Sequence, residues 1–151
     1  MSNRPDQPGF VAGGEDRIRD LRYNLFQSVS WLNNQSRQLL TPYGITPKQY
    51  SILIILAGRH PESLSIQEVR ESLADKMSDA SRLIDRLEKK GLLEKFPSDV
   101  DRRSNRARLT EQGRKLLVRI VAQAATLEGA VKERLTNEEI DHLNALLTKL
   151  K

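Results

Sequence analysis

The chain has no cysteine. That excludes disulfides, thiolate metal sites, a cysteine nucleophile and thiol-based redox sensing, and it fits an intracellular protein. The two histidines, His60 and His142, stand far apart in the chain, without the spaced partners that metal binding or imidazole chemistry needs. Each reads as a surface residue. The longest apolar run is Ile52–Ala57, far short of the roughly 20 residues that a membrane-spanning helix needs. The opening MSNRPDQPGFVAGG has no signal-peptide apolar core. We expect a soluble, cytoplasmic protein with no membrane partner and a mobile tail over residues 1–15. Nor is there a phosphate-cradling glycine loop, a nucleophile motif or a histidine–carboxylate spacing, so neither an enzyme nor a cofactor is expected.

What the sequence has instead is unevenly placed charge. The net charge of the 151 residues is +5. From Lys76 to Arg119 there are thirteen basic and seven acidic side chains, a local net of +6, so the rest of the chain is near neutral. Inside that segment Pro97–Thr110, PSDVDRRSNRARLT, holds four arginines and two aspartates. A turn needs small polar residues; it does not need four guanidinium groups.

The length suffices for one core without metal or disulfide staples, and helix signals fill it. Ile18, Leu21, Leu25, Val29 and Leu32 recur at helical spacing, predicting an amphipathic helix from about Asp16 to Leu40, broken by Pro42, Tyr43 and Gly44. Thr46-Pro47-Lys48-Gln49 combines an N-cap, an N1 proline and a capping-box glutamine, so the apolar run that follows should be a buried helix. Ser65-Ile66-Gln67-Glu68 repeats the device for a short helix from Ile66 to about Ala74. Ser78 is the cap candidate for a second short helix, which Gly91 stops. Leu92–Phe96 and Arg106–Thr110 can form a hairpin with its tip at Pro97–Asn105. Thr110 then caps a helix from Glu111 to about Arg134, and Thr136 opens a last one carrying Ile140, Leu143, Leu147 and Leu150.

Two short helices across a tight turn, followed by a basic hairpin, make the order of a winged helix-turn-helix. The expected fold is therefore mainly α with a small β-hairpin wing, plus N- and C-terminal helices. On the second short helix Ala80, Leu83, Ile84 and Leu87 form the apolar side; Ser78, Ser81, Arg82, Asp85, Arg86 and Lys89 lie opposite. Such a face, read alone, is an ordinary solvated surface with Asp85–Lys89 as an i,i+4 pair. Beside a basic hairpin it becomes a candidate for the major groove of double-stranded DNA. Ser78, Asp79, Ser81 and Arg82 are placed to read base edges or hold phosphates, and Arg86 and Lys89 to meet the backbone. Arg102 and Arg103 at the hairpin tip are candidates for minor-groove insertion, Asp101 would fix the direction of a neighbouring guanidinium, and Arg106 is counted with them. The loop lacks the aromatic platform of single-strand and RNA binders.

Leu73–Gly113, LADKMSDASRLIDRLEKKGLLEKFPSDVDRRSNRARLTEQG, resembles the DNA-binding core of the MarR family of bacterial transcription regulators. The likeness lies in the recognition-helix pattern SRLIDRLEKKGL and in a wing pattern whose Asp, Arg and closing Leu-Thr fall on Asp101, Arg103, Leu109 and Thr110. Ala107 stands where that family usually has Val. The resemblance implies a homodimer joined through its terminal helices, most simply a repressor, with a possible small aromatic or carboxylate effector near Tyr23, Trp31, Tyr43 and Tyr50. It divides the domain, residues 16–151, into dimerisation helices at 16–44 and 111–151 and a DNA-binding region at 45–110. The apolar faces at Ile18–Leu32 and Ile140–Leu150 independently suggest self-association, and a two-fold dimer implies a palindromic site. The competing reading is a winged helix that docks proteins and leaves DNA untouched.

Overall fold

The helix starts foreseen in the sequence govern the backbone. Thr46 accepts from the Gln49 N–H while Gln49 caps the Thr46 N–H in return, and the same reciprocal pair forms at Ser65 with Glu68 and at Thr136 with Glu139. The computed structural model describes residues 16–75, 79–100 and 104–150, the side chains of residues 126 and 127 excepted. The expectations for the first fifteen residues and for Ser78, Asp101, Arg102 and Arg103 lie outside the described residues.

The elements run α1 (Asp16–Leu40), a 3-10 turn (Thr41–Tyr43), α2 (Pro47–Ala57), β1 (Leu64–Ser65), α3 (Ile66–Ser72), α4 (Ala80–Lys89), β2 (Leu93–Pro97), β3 (Asn105–Leu109), α5 (Glu111–Lys132) and α6 (Asn137–Lys149). The fold is thus mainly α with one small antiparallel sheet, in the winged helix-turn-helix order. No helix among the described residues is long and apolar enough to cross a membrane. The chain divides into two compact units, Met1–Asn34 and Gln35–Lys151. In the first, α1 carries Ile18, Leu21, Phe26, Val29 and Leu32 exposed.

In the second unit the core gathers around α2, whose Ile52, Leu53 and Leu56 are fully buried, as the cap upstream of that apolar run implied. Val69 of α3 and Ile84 and Leu87 of α4 meet it, with Leu93 and Leu109 from the sheet.

Four local expectations are corrected. Helix α4 begins at Ala80, with Asp79 rather than Ser78 as its N-cap; the carboxylate accepts from the Arg82 N–H at 3.2 Å. A negative side chain there also meets the positive end of the helix dipole. Helix α3 stops at Ser72, two residues before the expected Ala74, because Leu73 turns extended and buries its side chain. The sheet has three strands, in the order β1-β3-β2: Leu64 and Ser65 pair with Ala107 and Arg106, making β3 central. Asp85 pairs with Lys95 of β2 instead of Lys89.

The joint between hairpin and α5 is tight. Gly91 takes φ +70 after α4, and the Leu92 and Gly91 N–H groups return to Leu87 and Glu88 as a Schellman stop. Thr110 caps α5, its hydroxyl also donating to the Gly91 carbonyl at 2.6 Å. A Cβ on Gly113 would fall 2.0 Å from the Leu92 carbonyl oxygen and 2.9 Å from Leu109 Cδ1. Both contacts belong to buried scaffold, so neither neighbour can yield cheaply.

Gly113→Ala should therefore cost about 3 kcal/mol by overpacking, read as a lower urea midpoint at fixed protein concentration. A loss below about 0.5 kcal/mol would show that the joint yields. A second outcome concerns acid. The Ser65 backbone N–H, then its hydroxyl, and the charges of Arg106 and Arg59 hold the Glu68 carboxyl below its ordinary value of 4.5. A depressed folded pKa contributes stability above the unfolded value and loses it as pH falls through the folded one. The stability gap between the parent and Glu68→Gln should be full at neutral pH and shrink below about pH 4.5, measured by urea titration across pH.

Candidate nucleic-acid interface

Helix α4 presents two different sides. Ala80, Ile84 and Leu87 are buried and Leu83 half-buried, while Ser81, Arg82, Arg86 and Lys89 are exposed. Four of the expected contact residues thus share one outward face. Asp79 sits at its N-terminal edge, and besides capping the helix it holds Arg82, with Oδ2 3.1 Å from the guanidinium Nε. Both carboxylate oxygens therefore act within the protein, directing Arg82 at the helix start. Just upstream Lys48, on the first turn of α2, reaches Asp75 in the turn before α4 at 2.8 Å.

The wing is a sheet with two faces. Its register pairs Leu93 with Leu109, Lys95 with Ala107 and Phe96 with Arg106. Leu93, Ala107 and Leu109 are buried, and Lys95 shares their side. That inward lysine is met by Asp85 and Glu88 of α4: its ammonium bonds Asp85 Oδ1 and lies 3.8 Å from Glu88 Oε2, while its backbone N–H donates to Glu88 Oε1 at 3.1 Å. The Asp85 contact raises the Lys95 pKa above its ordinary 10.5, so the side chain stays charged. This three-residue clasp fixes the wing against α4. On the other side Arg108 bonds Glu94 across the strands and lies over the Phe96 ring, 5.3 Å from its centroid.

Arg106 does not face outward as a free cation. Its Nε donates to Ser63 Oγ at 2.8 Å, a second nitrogen bonds the Ser63 carbonyl, and Glu68 lies 3.9 Å away. It fastens β3 to the segment leading into α3. Beyond the strands the Ser98 N–H donates to the Ser104 carbonyl at 2.9 Å, closing the loop, and Asp99 and Val100 are exposed there.

The structure thus brings Ser81, Arg82, Arg86 and Lys89 onto one face, sets Asp79 against Arg82 and ties Arg106 to Ser63 and Glu68. Lys95 is the residue that sequence reasoning missed. Its signal was present: a lysine in phase with Leu93 on the inner side of a strand needs an acid, and Asp85 and Glu88 supply two, three positions apart on α4.

A family model described as "MarR family" matches residues 43–104, from the turn before α2 to the end of the wing loop. Among curated proteins, the HTH-type transcriptional regulator PecS of Dickeya dadantii (strain 3937) is 30% identical over 99% of this chain and 86% of its own length. Transcriptional repressor MprA of Escherichia coli (strain K12) is 29% identical over 79% of this chain and 67% of its own. Among solved structures, a mutant MarR from E. coli complexed with operator DNA superposes with a TM-score of 0.81 at 22% identity, covering 92% of this chain and 99% of that one. With the relative's identity running along nearly its whole length and the family match covering its helix-turn-helix, the first wing strand and the wing loop, the chain belongs to the MarR family of transcription regulators.

Proposed function

We propose that the protein is a homodimeric repressor that binds a palindromic operator in double-stranded DNA in the cytoplasm. The carrying observation is the α4 face of Ser81, Arg82, Arg86 and Lys89, clasped to the wing through Lys95. On this reading Ser81 and Arg82 meet base edges, and Arg86 and Lys89 meet phosphates. Arg102 and Arg103 reach the minor groove, with Asp101 directing them. Asp79, Lys95 and Arg106 are positioning residues that touch no nucleotide. MprA is described as a repressor and the superposed MarR is held by operator DNA, and both support the sign and the partner proposed for this chain.

Residues 16–44 and 111–151 serve dimerisation, and 45–110 serve DNA. Exposed apolar side chains support it: Ile18, Phe26 and Val29 on α1, Val118 and Val121 on α5, Leu143 and Leu146 on α6, and Leu150 at its C-cap. A single chain leaves these in water, and a second copy gives them a self-complementary cover. Two recognition helices related by a two-fold axis then fall about 34 Å apart, one turn of the duplex. Release from the operator by a small ligand requires that ligand to favour a dimer whose α4 helices are misplaced for adjacent grooves.

Selection of duplexes from a random pool, followed by titration across salt, tests the whole reading. Affinity should fall steeply between about 50 and about 200 mM salt, and Arg86→Ala should reduce the slope by about one contact. Lys95→Met should weaken binding about fivefold to tenfold with the slope unchanged, because the lysine orients the wing and touches no phosphate. A salt-independent affinity in the parent would favour the protein-docking alternative. Sedimentation should find a two-chain species, and Leu143→Asp, on an exposed site, should shift it toward single chains without unfolding them. A parent that sediments as one chain would remove the palindrome from the proposal.

A further inference from the structure

Asp79 grips Arg82 at both ends of the residue. Its Oδ1 accepts from the Arg82 backbone N–H at 3.2 Å as the cap of α4, and its Oδ2 lies 3.1 Å from the same residue's Nε. The two contacts are coupled: the carboxylate cannot turn away from the guanidinium without uncapping the helix, so the head is steered from a point fixed in the backbone. Yet the head is not buried. The Arg82 side chain is 81% exposed, and among the described residues no second carboxylate lies against it. A pair this open adds little to stability. What it fixes is direction.

Direction decides which ligand the head can meet. A guanidinium carries five N–H donors in a rigid fork, and with the Nε edge turned to Asp79 the two terminal nitrogens remain for a partner. Two parallel donors need two adjacent acceptors. A phosphate offers them, but here it would come up against the Asp79 carboxylate, which already holds the anion position at the N-terminus of α4 and cancels most of the Arg82 charge. Base edges carry no net charge and meet no such repulsion. In the major groove only guanine presents two acceptors side by side, N7 and O6; adenine sets an acceptor beside a donor, thymine an acceptor beside a methyl group, and cytosine offers a donor. Arg82 is the third residue of α4, on the outward face it shares with Ser81, Arg86 and Lys89, so its head stands at the end of the helix that leads into a groove.

We propose that Asp79 determines base specificity by making Arg82 the reader of one guanine in each half-site, through N7 and O6 together. Asp79 is a positioning residue: it holds the fork and keeps phosphate away from it. The inference rests on the duplex-binding reading above and narrows it. Of the outward side chains of α4, Arg82 supplies sequence preference and little of the salt dependence.

The test uses the whole protein and the duplexes that the parent selects. A guanine should recur at one place in each half-site, and adenine there should weaken parent binding about tenfold to a hundredfold. The base analogue 7-deazaguanine, which lacks only the N7 acceptor, should weaken it by a smaller factor. Asp79→Ser keeps a capping oxygen and loses the partner of Nε. Its urea midpoint should stay near the parent's, while its preference for guanine over adenine at that place falls to about threefold or less. The double variant Asp79→Ser with Arg82→Met removes an ion pair and no net charge; it should bind the guanine and adenine duplexes alike, with the parent's salt slope. Guanine preference retained in Asp79→Ser or in the double variant would overturn the inference, as would a parent indifferent to 7-deazaguanine or a selected pool without a shared guanine. A salt slope lower by about one contact in the double variant would mark Arg82 as a phosphate ligand and overturn it too. A parent that binds no duplex at any salt is a different failure, because it sinks the DNA reading itself and this inference with it.

Discussion

Lys95, held between Asp85 and Glu88, is the contact on which the candidate interface depends. Helix α4 and the wing come from different stretches of chain, and on the proposed reading of two grooves both must be held at one angle. An exposed ion pair contributes about 0–1 kcal/mol, too little to matter as stability alone. This clasp differs in kind because it is partly buried and has three points: two carboxylates on the ammonium, and one of them also on the lysine's own backbone N–H. Its worth lies in geometry, since elements fixed before binding lose less freedom when they meet the duplex.

The same logic extends away from the clasp. Arg106 ties β3 to Ser63 and Glu68, and β1 covers the far edge of the central strand. Ala107 lies fully buried at the crossing point, paired with Leu64 on one side and Lys95 on the other. A small side chain there leaves room for the stem of Lys95 on the inner face. At the opposite end Gly113 allows α5 to approach the Leu92 carbonyl. The two strands of the hairpin are thus held along both edges and at their base.

Much of this was legible because helix starts are local chemistry. Thr46, Ser65 and Thr136 each find their partner three residues on, so a short window contains both halves of the capping box. The miss at Ser78 and Asp79 has the same origin: two adjacent residues of near-equal capping strength differ only in where the chain arrives from, which no short window records. Strand β1 has two residues, too few to show a period. The intramolecular partners of Arg106 and Lys95 were hidden for a different reason. A cation reads as outward-facing until strand pairing brings Arg106 beside Ser63 and packing sets Lys95 against Asp85, and both depend on residues far away in the chain.

That distinction changes what the positive segment means. In the two strands of the wing Lys95, Arg106 and Arg108 each face a carboxylate of the protein, Asp85 with Glu88, Glu68 and Glu94 respectively. Their charge is largely neutralised at short range and adds little to the field that a duplex meets a Debye length away. The excess that counts lies on the exposed face of α4 and, on the sequence reading, at the tip of the loop. A regulator built this way separates two uses of the same side chain. Arginines and lysines paired within the wing stiffen it, and on the proposed reading the outward cations of α4 meet the duplex, so the number of phosphates neutralised should be smaller than the count of basic residues in the segment suggests.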